Sequence, residues 1–399
     1  MEHSPGRLVS SPLSRLKPAA LSASASAHLD VIRSVAAWAV MWGHLRAFFF
    51  ADYDQLALRT PSLKTLYFLT GFGHQAVMVF FVLSGFLISS SILKGVGSGT
   101  WSWRGYAISR ATRLYVVLIP GLMFGLLWDV LGKSLFASTG LYTQPLRSFA
   151  GLIVQNELTV RNFFGTMFFL QTIVCTSFGS NGPLWSIANE FWYYVLFPLG
   201  LLAGYSWLRK SFAPAALLTV AALGVSLILG PEKMIGFLIW LAGFVVLLVW
   251  SRLKLSSAGA RVAYLLFSSA ALMASLTAAR LGKLALQSAD LAVGLAFAAF
   301  LYGVLQLDFK VLADGIYLRG AHLFAGFSYS LYVLHFPFLL FLRAWLVPGN
   351  RWQPDATHLL YGLGIGTLVL AFSWLVASVT EFKTREAREG VRNLLHVSG

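Results

Sequence analysis

The sequence predicts an all-α polytopic membrane protein with about ten transmembrane helices. Of its 399 residues, 57% are hydrophobic and only 11% are charged, whereas a soluble domain carries about 25% charged residues. Apolar runs also recur from Leu29 to Thr380, each close to the ~20 residues that a helix needs to cross a ~30 Å hydrocarbon core. Lipid is therefore the expected solvent for most of the chain.

The loops between these runs predict the orientation. Lysine and arginine are more frequent in the loops that would be cytoplasmic if the N-terminus were inside, which places both termini in the cytoplasm. The stretch near 149–180 is too short and too polar for a full span, so we expect a re-entrant or interfacial segment there. The predicted spans are 29–50, 71–93, 112–131, 184–206, 212–229, 234–250, 262–279, 288–306, 322–342 and 358–380.

One membrane domain, 28–380, is expected between a disordered cytoplasmic tail, 1–27, rich in Ser, Ala and Pro, and a basic cytoplasmic tail, 381–399. The net charge of +15 is spread over loops rather than gathered in a basic stripe, so no nucleic-acid partner is predicted. The single cysteine, Cys175, excludes an intrachain disulfide. Without cysteine pairs or an HExxH motif, no metal site is predicted.

The first predicted helix carries Asp30, Arg33 and His44. Asp30 and Arg33 are three residues apart and can pair on a helix surface. Arg33 and His44 are eleven apart, which returns to within about 20° of the same face after a rise of ~16 Å. Ionisable groups inside a membrane are costly and usually functional, and histidine can take a proton from a hydroxyl near neutral pH. The alternative is a boundary ion pair and a packing histidine.

Two further motifs each have a functional and a structural interpretation. The segment FFVLSGF places the Ser84 hydroxyl and the small Gly85 in the core of a span, where they could shape a substrate site or only allow helix packing. Arg110 and Arg113, which follow Arg104, are three apart at the membrane edge. They could bind phosphate oxygens bidentately, or they could simply follow the positive-inside rule.

Polar groups also interrupt two later spans. Glu190 lies in an aromatic, apolar span and must be paired or protonated there. It could pair with Arg33, orient His44 or contact a substrate. Tyr329 and His335 belong to a run of hydroxyl and imidazole groups at helical spacing. They could line a sugar-binding or acyl-binding cavity, or form interhelical hydrogen bonds.

In this order the motifs resemble acyltransferase family three, the integral-membrane acyltransferases that modify bacterial exopolysaccharide, lipopolysaccharide, other glycans and some antibiotics. The resemblance covers residues 28–380 and rests on the arginine, ten residues, histidine pattern and on four further motifs. These are FFVLSGF at 80–86, RxxR at 110–113, LWSIANEFWYYVLFP at 184–198 and FSYSLYVLHFP at 327–337.

The resemblance implies a membrane O-acyltransferase with about ten spans in the plasma (inner) membrane. Its donor would be acyl-CoA, with acetyl-CoA expected, and its acceptor a carbohydrate hydroxyl. The residues it implies fall into three groups. His44, Arg33 and Glu190 would be catalytic with Asp30 in support, Arg104, Arg110 and Arg113 would bind coenzyme A, and Ser84, Gly85, Tyr329 and His335 would bind the substrate.

Two departures from the family pattern matter. Met78 stands where many members have an acidic residue, and no SGNH-type esterase domain is expected after the last span. His44 could act as a general base or carry the acyl group transiently. A proton-coupled transporter or flippase of a glycan or lipid precursor is the main rival, because intramembrane Arg, His and Glu also suit a proton path. A non-catalytic membrane scaffold is a third.

Overall fold

The predicted fold class is confirmed by the computed structural model, which describes residues 18, 20–307 and 315–395. Over this part of the chain there are fourteen α-helices, short 3₁₀ turns and only isolated β-bridges. The helices are α1 Ala23–Phe49, α2 Pro61–Leu69, α3 Gly73–Gly97, α4 Trp103–Leu135, α5 Val154–Glu157, α6 Val160–Met167, α7 Trp185–Leu208, α8 Phe212–Arg252, α9 Ala258–Arg280, α10 Leu286–Leu305, α11 Ile316–Gly326, α12 Ser328–Leu346, α13 Ala356–Val379 and α14 Thr384–Leu394.

Eight helical segments of the described chain are long and apolar enough to cross a membrane. One of them, α8, holds two predicted spans. Its 41 residues would extend ~60 Å as a single helix, twice the ~30 Å core. Gly230, with φ 74° and ψ 173°, breaks the helix just before Pro231. Helix α1 is too polar to be among these eight segments. When the two parts of α8 are counted separately and α1 is added, the described chain has the ten segments that the sequence predicts.

Three predicted boundaries are corrected by the structure. Helix α1 begins at Ala23, inside the predicted disordered tail, because the Ser22 hydroxyl caps it by accepting the Ala25 N–H at 3.1 Å. The predicted span 322–342 is divided at Phe327, whose φ of −116° and ψ of 11° separate α11 from α12. Much of the predicted basic tail is the helix α14. The rest of both tails, 1–17, 19 and 396–399, lies outside the described residues.

The segment 149–180 contains two short helices and irregular backbone rather than a spanning helix, in agreement with the predicted re-entrant segment. Phe169 and Thr172 have positive φ angles of 58° and 73°. Irregular backbone at membrane depth needs hydrogen-bond partners from protein, and neighbouring helices supply them. The Asp129 carboxylate accepts the Ser180 N–H at 2.7 Å, and the Trp192 indole donates to the Phe169 carbonyl at 2.9 Å.

Helix α3 lies at the centre of the bundle, packed against α1, α7, α8 and α10. Glycines allow α3 and α8 to touch. A Cβ on Gly85 would lie 1.8 Å from the Trp240 carbonyl oxygen, and one on Gly243 would lie 2.0 Å from the Val82 carbonyl oxygen. Gly85 thus brings two backbones together and lines neither of the two cavities described below, and its predicted place in a substrate site stays a prediction.

Candidate active site

Two cavities enter the bundle and share part of one wall. The arginine cavity, ≈ 340 Å³, is lined by Arg33, Arg110, Arg113 and Arg388 together with polar groups of α3, α7 and α12. The histidine cavity, ≈ 680 Å³, is lined by His44, His74 and the 149–180 segment. Val77 and Tyr332 line both cavities. The two cavities therefore adjoin at these two side chains.

Arg113 is held in the arginine cavity by a buried carboxylate. Its guanidinium forms an ion pair with Glu381 at 2.9 Å and lies over the Tyr329 ring, 5.4 Å from the centroid. Glu381 is only 5% exposed and also accepts the Ser330 N–H at 2.8 Å and the Ser330 hydroxyl at 2.9 Å. This network fixes the Arg113 side chain before any ligand arrives. The sequence analysis missed Glu381 because it falls in the segment assigned to a solvent-exposed tail.

The other predicted coenzyme A ligands divide between two places. Arg110 lines the arginine cavity, and its guanidinium donates to the Ser109 hydroxyl at 3.0 Å. Arg104 is exposed and donates instead to the Leu395 carbonyl at the end of α14. Arg388 of α14, which the sequence analysis did not single out, lines the cavity, whereas Arg104 does not. The position of Arg388 in the amphipathic segment 384–394 was the signal that could have identified it.

Glu190 lines the arginine cavity rather than the cavity of His44. The Tyr194 hydroxyl donates to the Glu190 carboxylate, and the Ser84 hydroxyl donates to Tyr194 at 3.4 Å. Ser84 in turn accepts the Trp240 indole N–H at 3.1 Å. A chain of hydrogen bonds thus places the carboxylate at the cavity wall. Orientation of His44 by Glu190, one of the predicted options, has no support in this arrangement.

Arg33 and His44 also lie in different cavities, although both face the interior of the bundle. Their eleven-residue separation corresponds to a rise of ~16 Å along α1. Arg33 pairs with Asp30, whose other carboxylate oxygen lies 2.8 Å from His322 Nδ1 of α11. This places Arg33 at the arginine cavity, without contact to His44.

His44 instead has a second histidine as its partner. The His44 Nδ1 and His335 Nε2 atoms are 2.8 Å apart. His335 Nδ1 lies 3.0 Å from the Leu331 carbonyl oxygen and 2.8 Å from that of Tyr332. Carbonyl oxygens only accept hydrogen bonds, so His335 Nδ1 carries the hydrogen, and in the neutral ring its Nε2 accepts. His44 Nδ1 must then donate, which leaves the lone pair on His44 Nε2 for a substrate.

His335 therefore supports His44 and does not line either cavity. Its side chain is fully buried at 0% exposure. Packing fixes the pair further, since the His44 ring meets the edges of Phe149 at 5.8 Å and Phe336 at 5.0 Å between centroids. The substrate contact predicted for His335 stays a prediction; in the structure both of its ring nitrogens are bound within the protein.

Neutral polar groups line the rest of the histidine cavity. The 149–180 segment contributes Asn156, Thr172, Thr176 and Ser177, and one carboxylate, Glu157, which accepts hydrogen bonds from Asn162 at 2.7 Å and from Thr176. The aromatic rings in the lining include those of Trp185 and Phe336. Among the described side chains, this lining holds no lysine or arginine.

The described residues contain no group of three or more His, Cys, Asp or Glu side chains that could hold a metal ion. The groups that line the two cavities are guanidinium, imidazole, carboxylate and hydroxyl groups. The arginine cavity is suited to an anionic ligand, and the histidine cavity presents a base to a neutral, hydroxyl-rich ligand.

Comparison with known proteins gives a family and two relatives. The family called acyltransferase family three, described as an acyltransferase domain, matches residues 26–378. Nodulation protein 10 of Rhizobium leguminosarum bv. viciae is 24% identical over 201 residues, 49% of each chain. The putative peptidoglycan O-acetyltransferase YrhL of Bacillus subtilis (strain 168) is 26% identical over 155 residues, 38% of this chain and 23% of its own. The match thus spans about half of one relative and a quarter of the other. No solved structure matches the chain significantly.

Proposed function

The chain belongs to acyltransferase family three, and we propose that it transfers an acyl group, acetyl in the first instance, from acyl-CoA to a carbohydrate hydroxyl. The observation that carries this proposal is the junction of the two cavities at Val77 and Tyr332. There a cavity rich in arginine adjoins a cavity lined by His44, whose Nδ1 is bound by His335. We place the protein in the plasma (inner) membrane, with the arginine cavity open to the cytoplasm.

The donor proposal follows from charge. Coenzyme A carries several phosphates, and guanidinium groups bind phosphate oxygens through paired, charge-assisted hydrogen bonds. Arg110 and Arg113 lie on one face of α4, and Arg33 faces the same cavity from α1. With the phosphates bound there, the thioester end of the donor would extend toward Val77 and Tyr332.

The acceptor proposal follows from the lining of the histidine cavity. Hydroxyl and amide side chains such as Asn156, Thr172 and Ser177 can exchange hydrogen bonds with sugar hydroxyls, and Trp185 offers an aromatic face. With no lysine or arginine among its described lining residues, the cavity favours a neutral sugar over an anionic one. An exopolysaccharide, lipopolysaccharide, peptidoglycan or lipid-linked glycan would present such a sugar.

In the proposed reaction His44 acts as a general base. His44 Nε2 takes the proton of the acceptor hydroxyl, and the hydroxyl oxygen attacks the thioester carbonyl carbon. The tetrahedral intermediate collapses as the carbon–sulfur bond breaks, and the protonated His44 returns its proton to the departing thiolate. The ester and free coenzyme A are the products. His335 holds His44 in the tautomer that this step needs.

The test uses the purified full chain in lipid nanodiscs with radiolabelled acetyl-CoA and candidate glycans. We expect label to move to the glycan in the wild type and to fall by about 10²- to 10⁴-fold in His44→Ala, the usual contribution of a general base. His358→Ala is the matched control, because His358 pairs with Asp355 at the start of α13 and lines neither cavity. Passage of intact glycan across the bilayer without acyl transfer would instead support the flippase alternative.

A second arm separates the base from the acyl carrier. The protein is incubated with labelled acetyl-CoA and no acceptor, and label bound to the chain is measured. A base leaves the chain unlabelled, whereas a carrier accumulates acyl-histidine. Label that is lost in His44→Ala would overturn the general-base role while leaving the acyltransferase proposal in place.

A further inference from the structure

We propose that the C-terminal helix α14 forms one wall of the donor site and that Arg388 binds a phosphate of acyl-CoA. This inference rests on the proposed function. It assigns a ligand-binding role to a segment that the sequence pattern placed in a basic tail. The helix follows Glu381, whose ion pair with Arg113 at 2.9 Å anchors it to α4.

Helix α14 turns one face to the protein. Thr384 and Arg388, one helical turn apart, both line the arginine cavity. Arg385 points the other way, with its side chain 82% exposed and its guanidinium paired with Glu389 at 2.9 Å. At the far end, the exposed Arg104 of α4 donates to the Leu395 carbonyl. The helix is therefore fixed at both ends, and Arg388 faces the cavity from its middle.

Arg388 and Arg110 converge on one neutral hydroxyl. The Ser109 hydroxyl accepts from Arg110 at 3.0 Å and from Arg388 at 3.4 Å. Two guanidinium groups held this close repel each other unless an anion lies between them. Among the described residues, the carboxylates of Glu381, Glu386 and Glu389 are paired with Arg113, Lys383 and Arg385. Glu190 lines the same cavity, where its carboxylate accepts the Tyr194 hydroxyl and makes no ion pair with Arg110 or Arg388.

This arrangement has the features of a phosphate site. Arg110 and Arg388 approach from two different helices, Arg113 lies one turn beyond Arg110, and all three line the same cavity. Planar guanidinium forks from two neighbouring helices can bind the oxygens of one phosphate together. The phosphate groups of coenzyme A provide the matching charge.

The experiment measures equilibrium binding of coenzyme A to the full chain in nanodiscs, which needs no acceptor. Arg388→Gln is compared with Arg385→Gln, a substitution on the opposite face of the same helix. We expect Arg388→Gln to weaken binding of coenzyme A by about tenfold or more, as for a lost hydrogen bond to a charged group. Arg385→Gln should leave it unchanged, and neither variant should alter binding of pantetheine, which lacks the phosphates.

Each outcome has a defined meaning. An effect that disappears with 3′-dephospho-coenzyme A assigns Arg388 to the 3′-phosphate, and one that persists assigns it to the pyrophosphate. Equal affinities of Arg388→Gln and Arg385→Gln would overturn the inference alone, and so would an equal loss of pantetheine binding. An effect seen only in nanodiscs of anionic lipid would assign Arg388 to a lipid headgroup. Failure of the wild type to bind coenzyme A would overturn the proposed function itself.

Discussion

Replacement of His335 by leucine should slow acyl transfer without removing the catalytic histidine. The substitution keeps a buried apolar side chain but removes the atom that accepts the His44 Nδ1 hydrogen bond at 2.8 Å. His44 is then free to place its proton on Nε2, where it can no longer act as a base. We therefore expect kcat to fall while the KM for acyl-CoA, set in the other cavity, changes little.

The size of the effect follows from the unpaired hydrogen bond. A buried donor left without a partner costs about 1–3 kcal/mol, which corresponds to a fall in kcat of about 5- to 150-fold. His335→Gln is the informative comparison, because its side-chain carbonyl can stand near the position of the lost Nε2 and accept the same proton. It should retain most of the activity that His335→Leu loses.

The assay is steady-state transfer from labelled acetyl-CoA to a glycan, with thermal unfolding measured in parallel to compare the folded fraction. Equal kcat for His335→Leu and the wild type would refute the positioning role. So would equal losses in the Leu and Gln variants, since a packing role does not distinguish a hydrogen-bond acceptor from an apolar group. A change in the KM for acyl-CoA with unchanged kcat would move His335 to the donor site.

Three further predictions concern the packing of the site. Gly85→Ala should destabilise the fold by about 1–3 kcal/mol, because its Cβ would lie 1.8 Å from a carbonyl oxygen of α8. Gly204→Ala is the control: its Cβ would meet nothing within 4 Å, so this variant should not lower the unfolding temperature. Val77→Phe should fill the junction of the cavities and reduce acyl transfer by tenfold or more while coenzyme A still binds. Acyl transfer at the wild-type rate would contradict transfer between the cavities at Val77. Asp129→Ala should expose 149–180 to limited proteolysis because the Ser180 N–H loses its acceptor, and Asp129→Asn should not.

Much of the fold could be predicted from hydropathy, because a helix in lipid must be long, apolar and internally hydrogen-bonded. The gap between the predicted spans 212–229 and 234–250 contains the observed break at Gly230. Boundaries at Ala23 and Phe327 were missed, since they depend on a cap and on a local backbone angle rather than on hydrophobic length. The helix α14 was missed because its charged face resembles a solvated tail, and only its contacts with α4 show which side is buried.

The candidate site was predicted as a set of residues but not as a set of neighbours. Periodicity correctly placed Arg33 and His44 on the inner face of α1, yet it could not show that a ~16 Å rise assigns them to different cavities. Pairs such as His44 with His335, 291 positions apart, depend on tertiary packing that a single sequence does not reveal. The same applies to Arg113 and Glu381.

The separation along α1 has a consequence for the reaction. If Arg33 helps to hold the charged end of the donor and His44 activates the acceptor, neither ligand needs to cross the bundle. Only the acyl group would then have to move between them, and the two cavities adjoin at Val77 and Tyr332. The Tyr332 hydroxyl is held by the Ser186 hydroxyl at 2.7 Å and the Pro183 carbonyl at 3.0 Å. If the proposed reaction takes place here, this fixed tyrosine would hold the donor and the acceptor on their own sides, and only the thioester and the attacking hydroxyl would approach each other beside it.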